Sequence, residues 1–241
     1  MDIFNDLIHK AQDLLPGQGK ALAYDPDQKQ WEGKRGELIL GREAAYELGG
    51  GGHPSISSIF YTEDERLVQR DEILLYGKDL YEITEDSPFL RLTFVRTDNI
   101  DEKGDEAAYA IMGNIGLHKY DVFPKGYMGR VSMMDNREQV RVSHKAVKGH
   151  LSFANVGSLY INEYKKSKHV LAVKMLFATL PELDYKALDH IGTLSNELFR
   201  ALNHALADLN MDCKKCEWKI VCDEVDGLKK LHEKQVKTDK K

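Results

Sequence analysis

Cysteine is scarce in this chain and confined to one place. The 241 residues hold three, Cys213, Cys216 and Cys222, all within ten positions. An odd, clustered set is a poor framework for disulfides, which argues against a disulfide-stapled secreted module. Long apolar runs are also missing. No stretch approaches the roughly 20 residues that a bilayer-spanning helix needs, so no membrane span is expected. The opening MDIFNDLIHKAQDLLPG carries acidic residues and no apolar h-region. It does not read as a secretory signal, and a cytoplasmic protein is expected. Basic charge is not in excess either. The net charge of -5 lacks the basic footprint of a nucleic-acid-binding protein. No internal repeat or low-complexity linker breaks the chain.

What remains is an ordinary globular composition, 42% hydrophobic and 30% charged, in a chain long enough for one large or two small domains with a real core. Residues 2–15 place Ile3, Leu7, Ile8, Ala11 and Leu15 on one helical face, and Pro16 and Gly17 stop that helix. Short strands are expected at 21–25 and 36–40, then a brief helical piece at 42–48. Further strands are expected at 55–62, 72–77 and 88–96. In the last of these Leu90, Leu92 and Phe94 alternate with Phe89, Arg91, Thr93 and Val95, which gives one solidly apolar face. A helix is expected over 104–123, a strand at 139–143 with Ser143 capping the helical turn after it, and a helix at 152–166. The run 168–180 reads as a long apolar strand buried on both faces. An amphipathic helix at 185–210 leads to the cysteines, and a charged helix at 223–237 follows. The expected fold class is α+β. A mixed α/β domain would span 1–166, and a second unit, 167–241, would place the strand 168–180 at its centre and carry the cysteine loop.

The cysteines form the pattern C-x2-C-x5-C. A two-residue gap lets two thiolates converge on one metal while backbone amides turn toward the sulfurs, and the longer gap lets a third return. Three thiolates on one loop suit an iron–sulfur cluster, which is preferred here, and four-iron geometry in particular. They also suit a Cys3His zinc site, and a loop of reduced, metal-free thiols is the remaining reading. Lys214, Lys215 and Lys219 would favour thiolates and offset an anionic cluster. His204 and His232 are candidates for a fourth ligand, and Trp218 could shield the site from water.

A wider pattern runs from about Gly41 to Cys222. Tyr46-Glu-Leu-Gly-Gly leads through Pro54 to EILLYGKDLYEI and PFLRLTFVR. RVSHKAV, SFANVGSLYINEYKK and HVLAVKMLFAT follow, then a helix and Cys213-x-x-Cys216. This order resembles the acetyl-CoA synthase (beta) subunit of the carbon monoxide dehydrogenase/acetyl-CoA synthase complex. The resemblance covers that subunit's central domain and the opening of its metal domain. It implies an iron–sulfur protein of one-carbon and acetyl-CoA metabolism, with a partner polypeptide completing the metal site or a corrinoid protein as partner, and with coenzyme A as a possible ligand. The departures matter as much. Family members carry four cysteines in this loop and a downstream Cys-Gly-Cys that holds nickel, whereas this sequence has three cysteines and no Cys-Gly-Cys. No nickel is therefore expected, and any acyltransferase chemistry would depend on other components.

Two further features carry plainer readings. The run Gly49–Gly52 before His53-Pro54 could offer amides to a phosphate, but its order, helix before strand, is wrong for a P-loop, and a tight turn is preferred. The segment 137–169 is locally basic, with Arg137, Arg141, His144, Lys145, Lys148, His150, Lys165, Lys166, Lys168 and His169. It could meet coenzyme A phosphates, although a solvated charged face is the preferred reading.

Overall fold

A computed structural model describes residues 4–30, 37–41, 44–132 and 135–207. The fold is α+β, built on a mixed five-stranded sheet and a smaller antiparallel one. Helix α1 (Asn5–Asp13) is followed by β1 (Lys20–Leu22), β2 (Ala45–Leu48), β3 (Ser55–Thr62), β4 (Glu72–Tyr76) and β5 (Phe89–Thr97). Then come α2 (Asp105–Leu117), β6 (Tyr127–Val131), β7 (Glu138–Ser143), α3 (His144–Lys148), α4 (Phe153–Tyr164), β8 (Val170–Ala178) and α5 (Tyr185–Ala207). The larger sheet has the order β1-β4-β8-β5-β3, and the smaller has β2-β7-β6.

The apolar run expected at 168–180 is β8, the middle strand, parallel to β4 and antiparallel to β5. Middle strands are covered on both faces, and seven of its nine residues are buried. The division expected at 166/167 therefore separates β8 from strands to which it is hydrogen-bonded. The sheet is a single unit built from both sides of that boundary.

Sequence and structure also part at four shorter segments. The helical piece expected at 42–48 is a strand where it is described: β2 pairs with β7, Tyr46 opposite Val142 and Glu47 opposite Arg141. Seven residues are too few to nucleate a helix alone, so long-range pairing overrides the helix propensity of Ala and Glu. Residues 37–40, expected as a strand, are in no ladder. The Arg141 side chain instead takes the carbonyls of Ile39 and Leu40, each at 3.1 Å. The helix expected to 123 ends at Leu117 and tightens into a 3-10 turn, His118–Tyr120. Strand β6 was not foreseen, since its Gly129 and Arg130 break the alternation.

Helix α4 lies on the sheet face that carries Phe89, Arg91, Thr93 and Val95. Phe153 stacks on Phe177 with ring centroids 4.5 Å apart. A capping box, Ser152 with Asn155, starts the helix, and the buried Asp79 carboxylate accepts from the Phe153 amide at 2.6 Å. Gly157 lets α4 approach β4, because a Cβ there would lie 2.9 Å from the Ile73 side chain. As expected, Ser143 caps α3. Helix α5 runs along β3, the edge strand, and packs against α1 and α2. No described helix is long and apolar enough to cross a membrane.

Candidate functional site

A strand buried on both faces has no cheap place for a charge, yet β5 carries Arg91, 1% exposed. The charge is tolerated because Glu138, at the start of β7, is fully buried beside it. Arg91 Nε donates to Glu138 Oε2 at 2.7 Å, and Nη2 lies 2.6 Å from the same oxygen. Nη2 also donates to Ser57 Oγ on β3 at 2.9 Å. The guanidinium lies 4.3 Å from the Tyr160 ring centroid, and Tyr160 Oη donates to Glu138 Oε1 at 3.3 Å. Glu138 is itself anchored, its amide donating to Ser55 Oγ while the Ser55 hydroxyl donates back to its carbonyl. Burial opposes the Arg91 charge, but Glu138 outweighs it and holds the guanidinium well above its ordinary value. Burial also pushes the Tyr127, Tyr160 and Tyr164 hydroxyls up, so all three stay neutral.

The pair saturates only one side of the guanidinium. Nη1 has a single long contact, 3.5 Å to Thr93 Oγ1. Arg91 lines a cavity of about 340 Å³ between the β3 edge, α2, α5 and the end of α4. Tyr61 Oη donates to the Met112 carbonyl at 2.8 Å, tying α2 to β3. Tyr109 stacks on Phe199 at 4.5 Å, tying α2 to α5. Those rings, with Met112 and Ile59, supply apolar lining to the cavity. Arg91, Ser57, Tyr164 and Lys119 line it as well, together with Asp135, Asn196 and Arg200. Two wall hydroxyls, Ser58 Oγ and Tyr164 Oη, are buried with no hydrogen bond of ordinary geometry, although Arg91 and Thr93 are polar neighbours of the latter. Lys119, on the 3-10 turn after α2, lies 5.1 Å from the Tyr120 ring centroid. Burial and the Arg91 charge pull its amine down to about 8, against a smaller upward pull from Glu138.

The residues singled out from sequence fall elsewhere. Cys213, Cys216, Cys222, Trp218, the intervening lysines and His232 lie outside the described residues, as does the helix expected at 223–237. Among the described residues no group of three or more His, Cys, Asp or Glu is arranged to hold a metal ion. The glycine run is a turn between β2 and β3, with positive φ at Gly49, Gly51 and Gly52. It flanks a cleft of about 260 Å³ whose charged walls include the Glu47–Arg141 pair, 2.8 Å apart. The basic segment spans β7, α3, α4 and the turns around them, and several of its residues are paired, Arg141 with Glu47 among them. Lys165 pairs with Asp71, Lys166 with Glu163 and His169 with Asp98.

Sequence reading missed the Arg91 site. Its one signal was an arginine inside an otherwise apolar strand, and nothing local marks Glu138, 47 positions away, as the partner. No protein-family model matches the chain, and no match is found among curated proteins.

Proposed function

We propose that this chain is an iron–sulfur protein of the acetyl-CoA synthase beta-subunit kind. It would act as an accessory, partner-dependent component of one-carbon and acetyl-CoA metabolism, and not as a self-sufficient synthase. The carrying observation is C-x2-C-x5-C at Cys213, Cys216 and Cys222, which begins thirteen positions after Arg200 on α5. Three thiolates at that spacing can hold three irons of a four-iron cluster and leave the fourth to a histidine, a water or a group from a partner. The sequence offers no Cys-Gly-Cys for nickel.

Metal and acid-labile sulfide analysis of anaerobically purified protein, beside a Cys216→Ala variant, tests the proposal. Iron with sulfide in the parent, strongly reduced in the variant, supports it. Stoichiometric zinc without iron would make the site a structural one, and bound nickel would overturn the accessory reading.

A further inference from the structure

We propose that the cavity between β3, α2, α4 and α5 binds a small organic monocarboxylate with an apolar, ring-sized body. The carboxylate would sit between the Nη1 side of Arg91 and the Lys119 amine, and the body would lie against Tyr61, Tyr109 and Phe199.

Four observations lead there. The first is a mixed lining: aromatic rings, cations and hydroxyls line a single cavity. Binding sites for small molecules are typically apolar with a few convergent polar groups. The second is unspent donor capacity in a dry place. Arg91 is fixed by Glu138 and Ser57 on one side, and on the other it meets the long Thr93 contact and the Tyr164 hydroxyl. The Tyr164 hydroxyl, fully buried in the same wall, lacks a well-formed partner. Buried polar groups in folded proteins are generally satisfied, so such groups facing a cavity mark the place a ligand's oxygens would fill.

The third is the charge balance. Glu138 neutralises Arg91, and Arg200 at the wall is met by Glu197 at 3.1 Å. Lys119 forms no ion pair among the described residues, and Asp135 is the one carboxylate among the described lining residues. Lys119 is therefore the lining cation left to meet a ligand's single carboxylate. The fourth is shape. A fixed guanidinium presents donors in a plane that matches a carboxylate. At about 340 Å³ the cavity is at the small end of ligand sites.

This inference stands apart from the metal reading, because every residue it uses lies in the sheet domain and its test needs no cluster. Benzoate serves as the probe, with benzyl alcohol as the same body without the charge and inorganic phosphate as charge without the body. Binding to the full chain is measured by titration calorimetry or ligand-observed NMR near neutral pH. Arg91 variants risk unfolding, so the site is perturbed at the half-buried Lys119. Benzoate should bind, benzyl alcohol and phosphate should bind at least about tenfold more weakly, Lys119→Met should weaken benzoate about tenfold, and Lys119→Arg should restore most of the loss. Absence of benzoate binding, equal binding of either control, or indifference to Lys119→Met in folded protein would each overturn it.

Discussion

Breaking the Arg91–Glu138 pair from either side should be far more damaging than removing both charges together. Both side chains are at most 2% exposed, so neither can recover hydration when its partner is lost. Glu138→Gln leaves a guanidinium beside a neutral amide, and Arg91→Met leaves a bare carboxylate between Tyr127 and Tyr160. Losing one member of a buried pair typically costs about 3–5 kcal/mol. Two independent losses would then sum to about 6–10 kcal/mol, which approaches the whole stability of an ordinary domain. The double variant carries no net buried charge, and the glutamine carbonyl that replaces the Glu138 carboxylate can still accept from Tyr160. It should lie at least about 2 kcal/mol above the sum of the singles, a coupling expected of direct contacts. Urea unfolding of the parent, both singles and the double, followed by far-UV circular dichroism, closes the cycle. Additive losses, or single losses below about 1 kcal/mol, would mean that water reaches the pair and that the burial argument is wrong.

Two further expectations follow from packing and titration. Gly157→Ala places a Cβ 2.9 Å from Ile73 and presses α4 off β4; a loss of about 1–3 kcal/mol is expected in the same unfolding assay, and an unchanged midpoint would show that the contact can relax freely. Lys119 has its folded-state amine lowered to about 8 by burial and Arg91, opposed by Glu138. Below that pH the charge is present in both folded and unfolded chains and costs the folded one. Above it the folded amine is neutral while the unfolded one stays charged up to the ordinary lysine range, so stability should rise with pH across that window. Lys119→Met should therefore stabilise the protein near neutral pH by about 1–2 kcal/mol, allowing for partial solvent screening, and the gain should shrink toward about pH 10. A gain independent of pH would point to better packing instead of charge removal.

Local pattern was enough to place most of the secondary structure. β3 coincides with the expected 55–62, and β4, β5, β7, β8, α4 and α5 each begin within two residues of their expected starts. Period and punctuation carry those elements because the residues that decide them are neighbours in sequence. Where a distant partner decided, the pattern failed. β2 is a strand because β7 lies beside it. Residues 37–40 stay outside any ladder while Arg141 takes two of their carbonyls. The apparent break before residue 167 vanishes because β8 inserts between β4 and β5.

The same division holds for function. The cysteine spacing and the order of motifs can be read directly along the chain, since they are statements about covalent neighbours. That Arg91 is a buried cation held by Glu138, and that Lys119, Tyr109 and Phe199 line the same cavity, depends on contacts across the fold. Those groups come from five elements and are brought together by a sheet whose strand order departs from chain order. Pairing of that kind is set by burial and hydrogen bonding across the whole fold, and no window of sequence contains it.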